Sequence, residues 1–173
     1  MIDYVQHFDA AILPNLVSTP CKSLAPVTHV YPPTRAKLNL FMDVRHLFLG
    51  EVSTMIHKGK VSEILCGFHH DYMGKLRQSG RVSYVNVRQG PCGTYLVEKV
   101  IIEGKVYGPK KSFFPELMTR QEVINNIWDA LSNGQPTLQP NKRLQIDGVG
   151  RSGIKIVCIV DCQGKIVTAY PEV

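Results

Sequence analysis

No stretch of this sequence approaches the roughly 18 consecutive apolar residues that a membrane span requires. The opening Met1-Ile-Asp-Tyr4 also lacks the basic and apolar regions of a secretory signal peptide. No membrane partner is expected, and the expected place of action is a cytosol, reached from outside if the chain is a domain carried by a larger protein. Cysteine is sparse and odd in number: Cys21, Cys66, Cys92, Cys158 and Cys162 lack the dense, even spacing of a disulfide scaffold, so mostly reduced thiols are expected. Cys158 and Cys162 form a Cys-x-x-x-Cys with no clear second pair, a weak zinc signal that reads better as two small buried thiols. No carboxylate and histidine cluster marks another metal site, and no cofactor is expected. Repeats and low-complexity blocks are absent, which excludes solenoid and fibrous architectures. Acidic residues are the scarcer charge, 14 against 20 Lys and Arg, and the net charge of +6 favours an anionic partner, nucleic acid first.

Hydrophobic residues make up 44% of the chain and charged residues 20%, an ordinary globular balance, and 173 residues suffice to bury a core without staples. Proline is concentrated at the start: Pro14, Pro20, Pro26, Pro32 and Pro33 fall within the first 35 residues, where each removes a helical hydrogen bond and restricts its predecessor. Residues 1–35 read as an irregular extension, with one short helical turn at Ile12, Leu13, Leu16 and Val17, and residues 36–173 as the main domain.

In that domain, Leu38, Phe41, Met42 and Arg45 recur at helical spacing and predict a helix ending near Gly50, with His46 close to its C-terminal end. Alternation at Val82, Tyr84, Asn86 and at Tyr95, Val97, Lys99, around the turn-forming Gln89-Gly-Pro-Cys-Gly93, predicts a hairpin between Arg81 and Tyr107. Thr119-Arg-Gln-Glu122 is a capping box for a helix over 119–132, with Val123, Ile124, Ile127, Trp128 and Leu131 on one face and Gly134 as its stop. Residues 135–153 read as loop; their Lys142, Arg143 and Arg151 are either phosphate contacts or solvated charges. A second hairpin closes the chain, 154–160 and 165–170, in which Ile166, Thr168 and Tyr170 are expected on one face, Val167 and Ala169 on the other. The layout is α+β, helices packed on mostly antiparallel β-sheets.

Six histidines are present, and imidazole exchanges protons near neutrality. Metal-free RNA cleavage needs such groups: one to take the proton of the ribose 2'-hydroxyl, another to protonate the departing 5'-oxygen, and a cation to offset charge on the phosphate. His46 lies in His-Leu-Phe-Leu-Gly-Glu51, and His69 in Cys66-Gly-Phe-His-His-Asp71, whose glycine lets the backbone approach a ligand. His57 and His70 are rivals for these two places, and Lys110 is a rival of Lys111. His7 and His29 carry no assignment.

The His-x-x-x-Gly-Glu and Gly-Phe-His segments resemble the paired histidine motifs of EndoU endoribonucleases. Two further segments are similar to family segments in the same order: Lys110-Lys-Ser-Phe-Phe-Pro115, and Gly164-Lys-Ile-Val-Thr-Ala-Tyr-Pro171. The likeness spans roughly residues 36–171 and is greatest to the bacterial, toxin-like branch. It implies an EndoU-like fold with His46 and His69 sharing the acid and base roles, Lys111 as the stabilising cation, and Thr168 and Tyr170 holding a uracil ring; Ser112 is a candidate for phosphate contact. The implied activity is cleavage of single-stranded RNA at uridine to a 2',3'-cyclic phosphate, with no metal or cofactor. RNA is the implied substrate, and a cognate immunity protein with an acidic face the implied protein partner. The competing readings are a non-catalytic RNA-binding module of the same fold and a structural or metal-binding domain built on Cys158 and Cys162.

Overall fold

The computed structural model describes residues 4–9 and 37–173. In chain order these form β1 (Tyr4–Asp9), β2 (Lys37–Met42), α1 (Val44–Leu49), β3 (Glu51–His57) and β4 (Lys60–Cys66). Next come α2 (Lys75–Gln78), β5 (Val82–Gln89), β6 (Tyr95–Ile102), β7 (Lys105–Tyr107) and β8 (Lys111–Phe113). The chain ends with α3 (Arg120–Asn133), β9 (Gln135–Leu138), β10 (Leu144–Val149), β11 (Lys155–Val160) and β12 (Lys165–Pro171). The fold is α+β, as expected. The largest sheet has the order β1-β2-β12-β11-β10-β9, antiparallel except where β12 runs parallel to β2. A second sheet joins β5, β6 and β7, with β8 also pairing β6, while β3 and β4 form a two-stranded ribbon.

Each sheet has its own core. The α3 helix forms because Thr119 and Glu122 cap it reciprocally and its apolar stripe is buried: Val123, Ile127 and Leu131 pack with Ile146, Ile156 and Cys158 of the large sheet. Leu65, Phe68, Val97, Val100 and Phe113 form the second core. Neighbours in sequence are divided between the two, Phe113 entering one and Phe114 the other, so β8 and its continuation tie the sheets together.

Several expectations need correction. The helix expected to begin before Phe41 starts only at Val44: Leu40 and Met42 are buried at alternate positions in β2, and Asp43 caps α1 by accepting from the His46 N–H at 3.0 Å. Strand pairing on both sides of β2 overrides the local helical spacing. Residues 135–153 are not all loop, since β9 and β10 lie within them; Pro136 fits because β9 is an edge strand, where its missing N–H is not needed by a further neighbour. Tyr4–Asp9, in the stretch read as irregular, pairs with β2, whereas the turn expected at Ile12, Leu13, Leu16 and Val17 lies outside the described residues. In the closing hairpin the register shifts beside Val160, so Ile166 opposes Val160 while Thr168 opposes Ile159. This bulge leaves Ile166 in the core with Ala169, and only Thr168 and Tyr170 keep the shared outer face. Cys162, at the turn before β12, is disulfide-bonded rather than a second buried thiol, while Cys66, Cys92 and Cys158 are free. Cys158 sits within the packed sheet and Cys162 outside it, which separates their chemistry. No helix among the described residues is long and apolar enough to cross a membrane.

The large sheet approaches α3 closely because Gly148 has no side chain; a methyl there would overlap the Ala130 carbonyl of α3. Gly148→Ala is expected to destabilise the fold by about 1–3 kcal/mol, as overpacking does. Urea unfolding should show this as a lower midpoint with an unchanged slope; a midpoint equal to the parent's would mean that β10 and α3 are not held at this spacing.

Candidate active site

The two histidine segments meet at one glycine. Gly67 takes a left-handed backbone (φ +65°), and a Cβ on it would collide with the His46 carbonyl and lie 2.8 Å from the His46 ring. Phe68 follows with φ +54°, unusual for a bulky residue; its N–H donates to the His46 carbonyl at 3.1 Å and its ring packs edge-on against Phe113. The His69 N–H donates to the Leu47 carbonyl at 3.0 Å, so α1 and residues 67–69 are laced backbone to backbone. The glycine that was expected to make room for a ligand instead makes room for His46.

From β8, Lys111 donates through Nζ to the Gly67 carbonyl at 2.6 Å, and the Ser112 carbonyl accepts from His69 Nδ1 at 2.8 Å. Because a carbonyl can only accept, this bond places the hydrogen of neutral His69 on Nδ1 and leaves the Nε2 lone pair free. Ser112 thus serves His69 through its main chain. The Phe114 N–H closes the same connection by donating to the His69 carbonyl at 2.9 Å. The His69 ring also lies 5.6 Å from that of Tyr170, which brings β12 to the site.

Burial dominates the electrostatics. The His69 imidazole is pushed down to about 3, first by its removal from water and then by the positive charge of Lys111, with His46 adding to it and the Ser112 bond opposing. Loss of hydration likewise lowers Lys111, to about 8. Burial raises the Tyr170 hydroxyl, and the Asp147 carboxylate adds to the effect.

Of the expected residues, His46, His69 and Lys111 come together around Gly67, and Tyr170 reaches them through His69. Thr168 shares the outer face of β12 with Tyr170. The rivals lie elsewhere. His57 ends β3 beside the ribbon's turn, at the opposite end of the strand from Glu51. His70 packs against Phe48 and Tyr72, and Lys110 is exposed. Arg151, read as either a phosphate contact or a solvated charge, pairs with Asp129 through Nε at 2.5 Å and a second bond at 3.1 Å. Glu51 went without a role in the sequence reading, yet its Oε1 stands 3.2 Å from His46 Nδ1. The available signal was its position just past Gly50, where the chain leaves α1 and returns along β3. Among the described residues no three His, Cys, Asp or Glu side chains converge as metal ligands would.

Acid stability tests the environment of His69. Its folded value lies below its unfolded value of 6.5, so the unfolded chain binds the proton more tightly and stability declines as pH falls from 6.5 toward 3. The limiting slope is about 1.4 kcal/mol per pH unit. His69→Asn, which retains an N–H for the Ser112 carbonyl, should lose less stability between pH 7 and pH 4 in chemical denaturation than the parent; equal losses would show that His69 is not buried as described.

Comparison with curated proteins and with solved structures gives no match. A protein-family model, described as bacterial EndoU nuclease, matches residues 43–173. That span covers more than half of the chain and includes α1, the Gly67 loop, β8 and the closing hairpin, and the chain belongs to the bacterial EndoU nuclease family.

Proposed function

We propose that the chain is an endoribonuclease that cuts single-stranded RNA at uridine by metal-independent transphosphorylation, leaving a 2',3'-cyclic phosphate. The observation that carries this reading is the meeting of His46, His69 and Lys111, from three separate segments, around the Gly67 backbone. His69 is the general base: neutral, with Nδ1–H held by Ser112, it offers Nε2 to the 2'-hydroxyl. An arriving phosphate brings negative charge that raises its basicity from the substrate-free value. His46, whose Nδ1 lies 3.2 Å from the Glu51 carboxylate, is the acid that protonates the 5'-oxygen. The attacking oxygen closes onto phosphorus as the leaving oxygen departs, and Lys111 offsets the charge gathered on the phosphoryl oxygens. Thr168 and Tyr170 hold the uracil, Tyr170 as the aromatic platform that an unstacked base requires.

Membership of a bacterial nuclease family and the net charge of +6 support a toxin role, with action in the cytosol of a target cell after delivery on a larger carrier. The same charge suits a cognate immunity protein with an acidic face.

The purified chain, with chelator present, is expected to cut oligonucleotides at uridine and leave cyclic phosphate ends. His46→Ala and His69→Ala should each lower the rate by about 10²-fold or more. Full activity in either variant would sink the assignment of that residue, and RNA binding without any product would replace the nuclease with the binding module. The pH profile tests Lys111: cleavage should decline as pH rises through about 8, where the ammonium is lost. Lys111→Arg, charged throughout that range, should move the decline upward; an unmoved limb would assign it to another group.

A further inference from the structure

Tyr170 belongs to a sheet face that turns away from α3. In β10, β11 and β12 the residues facing α3 are Ile146, Ile156, Cys158 and Ala169, all buried. Their alternates form two cross-strand rows on the opposite face, Asp147–Val157–Tyr170 and Gln145–Ile159–Thr168. Val157 and Ile159 are half-exposed, an apolar floor between the Tyr170 strand and an edge of polar groups. Two strand spacings, about 10 Å, separate Tyr170 from Asp147, room for one more base beside the one held at Tyr170.

Asp147 is an unusual occupant of this position. Aspartate is disfavoured in strands, and this one is exposed on a face assigned to a polyanion, with no ion-pair partner among the described residues. It is nevertheless held in place: the Gln145 side-chain amide donates to both of its oxygens, at 2.9 and 3.1 Å. A carboxylate has about four lone-pair positions, so each oxygen retains capacity for an incoming donor. Such a group repels phosphate and uracil carbonyls alike but suits a base edge carrying two adjacent N–H donors. Among the RNA bases that edge is guanine's, with N1–H beside the N2 amino group. Lys155, exposed on the same face of β11, supplies a cation for the connecting phosphate.

We propose that this face is a second base subsite, in which Asp147, oriented by Gln145, accepts from the N1–H and N2 amino group of a guanine next to the uridine at Tyr170, over Val157 and Ile159. The inference rests on the reading of the chain as a uridine-directed ribonuclease, and its test separates the two.

Oligonucleotides whose one uridine is 2'-deoxy lack the attacking hydroxyl at that position and are not cut there, so they report binding at the uridine. With adenine elsewhere and guanine placed on one side or the other, the full chain is expected to bind the guanine-flanked form about tenfold more tightly than the all-adenine form, for one of the two sides. In Asp147→Asn, which turns one acceptor into a donor, that ratio should fall to near one; because it compares two ligands on one protein, a loss of folded material does not alter it. Equal binding by the parent, or a ratio retained in the variant, would overturn the subsite. The matching ribose oligonucleotides report the chemistry: guanine-dependent binding without any cutting would uphold the subsite and sink the ribonuclease, whereas cutting at uridine with no guanine preference would do the reverse.

Discussion

The approach of the Gly67 backbone to His46 is the constraint around which His46, His69 and Lys111 are arranged. A side chain at residue 67 would displace α1, and the left-handed turn there directs the Gly67 carbonyl toward Lys111. One peptide therefore fixes an imidazole on one side and an ammonium on the other. Phe68 carries the strain of a second left-handed residue, held by burial against Phe113, and the chain emerges from it with His69 already aimed at the Ser112 carbonyl. The rigidity comes from main-chain hydrogen bonds and packed rings, which hold a geometry more tightly than exposed side-chain contacts do.

Placing these groups between two cores has an electrostatic cost. Burial of Lys111 removes hydration that no carboxylate among the described residues replaces; its close partner is a neutral carbonyl. His69 is likewise kept neutral by burial and by the nearby positive charge. A negatively charged ligand would relieve both costs, because its charge would restore what desolvation removed. The preference for an anion at these buried groups is local, distinct from the long-range attraction of a net charge of +6.

Much of this was legible in the sequence where local chemistry decides the outcome. The capping box at Thr119 and the apolar stripe of α3 specify a helix without reference to the rest of the chain, and both hairpins announce themselves by alternation around turn residues. The failures lie where a distant partner decides. Leu38–Met42 carries a spacing compatible with helix, and only its pairing with β1 and β12 makes it a strand. Residues 135–149 were obscured by proline and glycine that an edge strand and a close helix contact accommodate. For the site, motif order placed His46, His69 and Lys111 in one group. The same order could not reveal that Ser112 acts through its carbonyl, or that Glu51 returns to His46, because both depend on how strands lie in space.

The bulge in β12 shows how one irregularity lets a strand serve both the core and the site. Strict alternation would put Ile166, Thr168 and Tyr170 on one face, leaving the isoleucine exposed beside Thr168 and Tyr170 or driving the polar pair inward. The extra residue at Val167 reverses the phase once, so Ile166 reaches the core with Cys158 and Ala169 while Thr168 and Tyr170 remain outward. The same shift keeps Thr168 opposite Ile159 and Tyr170 opposite Val157, aligning them with the Gln145 and Asp147 strand. Residue 168 faces outward because the bulge precedes it; a bulge placed after Tyr170 would have left Ile166 on the outer face with Thr168 and Tyr170.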